Sequence, residues 1–138
     1  MEKFRFISHT ADLGVIIFGK TLPELFQNAA ESFFSIVTEL EDIRENEIRH
    51  FSLNAPNLEE LLVAWLNEFL FLFETEMLLF RRFEIKDLTE NNLKATAWGE
   101  KYIEGRHPIK RVIKAVTFHQ LQIREKNGHW QTQIIFDL

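Results

Sequence analysis

The sequence contains no cysteine. Disulfides and thiolate zinc sites are therefore excluded, and packing alone must hold the fold. Glycine and proline are scarce, at five and three residues, and no Ser- or Pro-rich tract is present, so little of the chain has the composition of disorder. A phosphate loop, a dinucleotide fingerprint and a nucleophile elbow are all missing. The five histidines show neither H-x-H nor H-E-x-x-H spacing, which argues against zinc. An excess of positive charge is missing too: the net charge of -5 argues against broad electrostatic binding of nucleic acid. The most apolar stretch, Leu58 to Phe80, is interrupted by Glu59, Glu60, Glu68, Glu74 and Glu76. A bilayer would penalise each central charge by about 2.5–3.5 kcal/mol, so a buried helix is expected and no membrane contact. The start, Met1-Glu2-Lys3-Phe4-Arg5, has no apolar signal region. The expectation is a soluble cytoplasmic protein.

What is present is a large aromatic content, with 14 Phe and three Trp in 138 residues. That length predicts a single domain over residues 1–138, large enough to bury a core without a staple. Phe4 and Phe6 alternate with charged residues, and Leu13 to Phe18 is a second apolar run; both read as strands. Thr21 and Glu24 form a capping box with Pro23 in the first turn, and the apolar stripe from Leu22 to Val37 predicts a helix over 21–37. Asn57 and Glu60 repeat the capping pattern, and the spacing predicts a second helix over 57–80, apolar nearly all round and hence central. Glu39 to Glu47 reads as an acidic loop, and Arg44 to Leu53 as a partly exposed strand. Arg82 to Leu88 and Leu93 to Trp98 form one predicted hairpin. Ala115 to Glu125 and His129 to Asp137 form another, around Asn127-Gly128. The apolar phase changes between Phe118 and Leu121, which suggests a bulge. Pro108 to Ile113 suggests one short helical turn. The sum is an α+β domain with two long helices and about seven strands in mostly antiparallel sheet.

Three segments carry chemistry. His9-Thr10-Ala11-Asp12-Leu13-Gly14 reads most simply as a turn whose polar side chains bond backbone amides. The strand ending in Asp137 and Leu138 reads most simply as a solvated strand end. If the two ends pair in one sheet, however, Asp12, Asp137 and the Leu138 carboxylate meet, and three hard oxygen donors suit a divalent cation such as calcium. Arg106, His107, Lys110, Arg111 and Lys114 form a basic stretch without an acid. It is either a solvated loop or a contact for something anionic, with Arg106, Lys110 and Arg111 as the partner-binding candidates.

Together these residues resemble a known family. His9 to Gly14 is similar to the N-terminal signature of the archeases, Ile113-Lys114-Ala115-Val116-Thr117-Phe118-His119 to their second block, and Ile135-Phe136-Asp137-Leu138 to their ending. The resemblance covers essentially the whole chain. It implies a small α+β protein that is not itself an enzyme but activates an RtcB-type RNA ligase in tRNA splicing and RNA repair. The resemblance implies that it promotes guanylylation of that ligase and repeated turnover. It implies indirect contact with tRNA and GTP, and a divalent metal, calcium, on Asp12, Asp137 and Leu138. Lys114 is implied in activation. Many relatives carry an acid where this chain has Ser8, which predicts weaker metal binding here. The match leaves the roles of His9, Asp42 and His119 open. Two other readings are a chaperone-like modulator of a tRNA-modifying enzyme and a stand-alone metal-dependent hydrolase.

Overall fold

The computed structural model describes residues 1–8, 12–117 and 121–138. Among these residues the chain forms two long helices and eight strands, in the order β1 (Phe4–Ser8), β2 (Asp12–Gly19), α1 (Leu22–Val37), β3 (Glu47–Asn54), α2 (Leu58–Glu76), β4 (Leu78–Leu88), β5 (Asn92–Lys101), β6 (Ala115–Thr117), β7 (Arg124–Lys126) and β8 (His129–Asp137). A short 3-10 turn, Leu40–Asp42, opens the acidic loop. One sheet runs β1-β2-β8-β6, with β7 also on β8; the other runs β3-β5-β4. All pairings are antiparallel. The α+β class read from the sequence is the one observed.

Both helices start where their caps predict. The Thr21 hydroxyl accepts from the Glu24 amide at 3.2 Å, and the Asn57 side chain from the Glu60 amide at 2.9 Å. Each satisfies one amide that the first helical turn leaves open. Helix α1 packs against β2 of one sheet and β4 of the other, and α2 lies on α1 and reaches β3, β4, β5 and β6. The helices therefore join the two sheets. Aromatic rings fill the joint: Trp65 and Phe69 meet edge-on at 4.5 Å, Phe34 meets Phe69 at 5.4 Å, and Phe33 reaches Phe136 of β8 at 6.0 Å. Each such pair adds about 0.5–1.5 kcal/mol beyond its buried area. The fully buried Trp65 donates its indole N–H to the Phe26 carbonyl at 2.9 Å, so its polar atom is satisfied.

The structure corrects three details. Helix α2 ends at Glu76, not at 80: Met77 takes the left-handed conformation (φ 55°) and caps the helix, and Leu78 to Phe80 already belong to β4. No helical turn forms over 108–113; tertiary bonds take its backbone groups, with Pro108 O accepting from the Thr38 hydroxyl and Lys110 N–H donating to Val37 O. The strand expected over 115–125 is two short strands, β6 and β7. Most of the expected bulge, 118–120, lies outside the described residues, as do His9 and His119.

The β4–β5 register shifts between Phe80 and Arg82, opposite Gly99. A Cβ on Gly99 would stand 1.9 Å from the Leu79 carbonyl oxygen and 2.7 Å from Phe80 Cα, both backbone atoms that cannot rotate away. Gly99→Ala is therefore expected to destabilise the fold by about 3 kcal/mol or more, the upper part of the overpacking range. Urea denaturation checks this, and an unchanged midpoint would show that the strands part freely there.

Candidate metal and partner site

The register of β2 on β8 brings the two ends of the sequence together. Leu13 pairs with Phe136 and Val15 with Ile134, all facing the core, and this sets the alternation. The same alternation turns Asp12 and Asp137, which are direct partners, toward the opposite face. Directly opposed residues hold their Cβ atoms about 4.5–5.5 Å apart, and like charges so placed repel. On the other side of β8, Ala115 pairs with Asp137, and the Lys114 N–H donates to the Asp137 carbonyl at 2.7 Å. Lys114 is exposed. Leu138 is partly buried against the core, which fixes the strand end beside the pair. Asp12 and Asp137 are thus direct neighbours on β2 and β8, with Leu138 one residue past the end of β8 and Lys114 one residue before the start of β6.

Two facing carboxylates offer the oxygen donors that a hard cation takes. Among the described residues no group of three His, Asp or Glu side chains is arranged to hold an ion. Asp12 and Asp137 supply two such side chains, so water would have to complete most of the shell of a calcium or magnesium ion held there. A shallow pocket of about 300 Å³ lies farther along the same sheet, lined by Ile16, Gln122, Arg124, Gln131, Thr132 and Gln133. It includes none of the four residues above, and its chemistry is separate.

The basic stretch divides. Arg106 turns inward to Glu100 at 2.6 Å, and Lys110 pairs with Glu39 at 3.1 Å. Arg111, three residues before Lys114, is exposed. Asp42 meets the chain's other polar cluster: its carbonyl lies 3.1 Å from His107 Nε2.

That cluster had no signal in the sequence. Glu100 is 4% exposed and His107 fully buried. The Glu100 carboxylate accepts from the Arg44 amide (2.8 Å), Asn46 Nδ2 (3.3 Å), Arg106 (2.6 Å) and His107 Nε2 (2.9 Å). Burial pushes its carboxyl upward, but the Arg44 amide, His107 and Arg106 outweigh that and hold it below its ordinary value. A depressed carboxylate stabilises the fold above its unfolded pKa and loses that contribution as pH falls through the folded value. Glu100→Gln is expected to lower stability at pH 7 by about 2–3 kcal/mol, since one acceptor oxygen is lost and Arg106 is left uncompensated. It should also flatten the acid side of the stability curve below about pH 4.5. Denaturation at neutral and acid pH reads both; equal losses in the two proteins on acidification would remove Glu100 as the cause.

Comparison with known proteins decides the family. The model of the Archease protein family (MTH1598/TM1083) matches residues 4–138. The chain belongs to the archease family. It is 37% identical to the archease of Methanosarcina mazei, over 99% of this chain and 97% of that one. It is 34% identical to that of Sulfurisphaera tokodaii, over the whole of both. The solution structure of Methanobacterium thermoautotrophicum protein 1598 is 33% identical and superposes over both full chains with a TM-score of 0.83. An archease of Thermotoga maritima, described as a possible chaperone, shares the fold at a TM-score of 0.67 and 20% identity, over 96% of this chain and 94% of that one. Among the described residues no helix is long and apolar enough to cross a membrane.

Proposed function

We propose that this archease is a non-catalytic cytoplasmic partner of an RtcB-type RNA ligase, promoting its guanylylation and repeated turnover in tRNA splicing and RNA repair. The observation that carries this reading is the pairing of Asp12 with Asp137, with Lys114 bonded to the same residue. Guanylyl transfer develops negative charge on phosphate oxygens and on the leaving pyrophosphate, so cations fixed nearby lower its barrier. A divalent cation, calcium by the family resemblance, would be held by Asp12, Asp137 and the Leu138 carboxylate and would supply such positive charge. The exposed side chain of Lys114, whose backbone N–H is bonded to Asp137, would supply a second cation. Arg111 and, more weakly, Lys110 add attraction for an anionic partner surface, whereas Arg106 contributes through the fold. The protein's contact with RNA and GTP is indirect, through the ligase.

The deciding experiment mixes an RtcB-type ligase with GTP, with and without this protein, and follows guanylylated ligase and joined RNA. Faster guanylylation and more than one turnover are expected only when both proteins are present. Phosphate release by this protein alone would instead make it a hydrolase. A second reading is a chaperone-like modulator of a tRNA-modifying enzyme. There Asp12 and Asp137 would be dispensable, and exposed apolar side chains such as Phe6, Ile48 and Phe71 would bind the partner.

A further inference from the structure

The stretch from Tyr102 to Lys114 joins β5 to β6 without regular structure, yet it delivers Lys114 to a defined place. Its anchors are few. The Thr38 hydroxyl donates to Pro108 O at 2.8 Å, Lys110 N–H donates to Val37 O at 2.8 Å, Ile113 is 2% exposed, and Lys114 N–H donates to Asp137 O. Tyr102 N–H donates to Met77 O at 2.8 Å where the run begins, and His107 anchors its middle, at the head of 107–114. The His107 Nδ1 accepts the Ile103 amide at 2.9 Å, so the ring proton sits on Nε2, which faces Glu100 Oε2 at 2.9 Å and Asp42 O at 3.1 Å. Both ring nitrogens of this buried side chain are used. An apolar residue of the same size would fill the space but leave the Ile103 amide without its acceptor and take one of the two donors from Glu100 Oε2, the Arg44 amide being the other. Glu100 in turn grips the Arg44 amide and Arg106. The connecting segment is therefore fixed by a polar node that admits one arrangement, where an apolar plug would admit several.

We infer that His107 is a positioning residue for Lys114: it locks the start of the 107–114 segment onto Glu100, so that the segment reaches Asp137 in one register and fixes where the Lys114 side chain leaves the backbone next to Asp137. The functional half of this inference rests on the reading of Lys114 as the group offered to the ligase. The positional half does not.

The test uses His107→Phe, which keeps a ring and removes both bonds, and His107→Gln, whose side-chain amide can still donate to Glu100. Amide hydrogen exchange reads position without the ligase. The Lys114 amide is expected to exchange about tenfold or more faster in His107→Phe, with core amides of α1 unchanged, and to recover in His107→Gln. In the ligase assay, maximal activation is expected to fall about tenfold in His107→Phe, while the concentration for half-maximal activation stays put. In a Lys114→Ala background, His107→Phe should add nothing, because two residues acting through one contact are not additive. Unchanged Lys114 exchange would overturn the inference, and so would a full extra loss in the double variant. Should His107→Phe not fold, His107→Gln carries the same measurements; protection at Lys114 no better than in Lys114-remote loops would then count against the inference. A wild-type protein that activates no ligase overturns the proposed function and leaves the exchange result to judge position by itself.

Discussion

Asp137→Asn is expected to reduce ligase guanylylation on the order of 100-fold if Asp137 holds the proposed cation, at least the upper end of what losing a mere supporting partner of a metal costs, while leaving the fold as stable as before or slightly more so. The opposite signs are the useful part. Asp12 and Asp137 face one another across β2 and β8, and two like charges in direct opposition destabilise a sheet by up to about 1 kcal/mol. Removing one charge relieves that repulsion. A bound cation relieves it as well, and it stabilises only the folded state, where the two ends of the chain are together. Calcium should therefore raise the melting temperature of the wild type and have little effect on Asp12→Asn or Asp137→Asn. Extending the chain after Leu138 turns its carboxylate into an amide and should blunt the calcium response without touching β8. Thermal melts with and without calcium, run beside the guanylylation assay, read every part of this. The metal assignment is lost if calcium shifts all four proteins equally.

The legible parts of this molecule are those whose cause is local. Thr21 and Asn57 mark helix starts because the cap bond spans only three residues. Asn127 and Gly128 mark a hairpin because both take positive φ, 54° and 80°, which that turn demands. The Asp12–Asp137 pairing was legible only conditionally. Alternation fixes which side chains share a face, and only the pairing of the two ends puts them on the same row. The illegible parts have non-local causes. Leu78, Leu79 and Phe80 continue the apolar run of α2, and nothing in hydropathy says that Met77 will adopt the left-handed conformation and start a strand. The basic stretch looks uniform in sequence, but Arg106 and Lys110 turn to Glu100 and Glu39, acids that lie outside it. The node of Glu100 and His107 has no sequence signature, because its other contributors, Arg44 and Asn46, come from a loop more than 50 positions away.

Lys114→Ala is expected to leave stability nearly unchanged, within about 0.5 kcal/mol, because the side chain is exposed and the hydrogen bond to Asp137 uses the backbone. Guanylylation of the ligase should nevertheless fall on the order of 100-fold, the effect of deleting one cation aimed at developing charge. Lys114→Arg separates two ways of losing it. Arg keeps the charge but replaces a compact ammonium with a broad planar fork. If Lys114 docks the protein electrostatically, Arg serves nearly as well, and the loss in Lys114→Ala appears in the concentration needed for half-maximal activation and shrinks at high salt. If its ammonium meets phosphate oxygens during transfer, Arg fails to restore the maximal rate, and salt matters little. The position of Lys114 favours the second outcome. It ends the irregular connection one residue before β6, and its N–H is bonded to the residue opposite Asp12, so its backbone is held against the sheet, whereas Arg111 lies three residues farther back in the connection. Arg111→Ala should accordingly weaken association modestly, in a salt-sensitive way, without lowering the maximal rate. Full activation by Lys114→Ala at every protein concentration would remove Lys114 from the mechanism and leave the basic stretch a solvated connection.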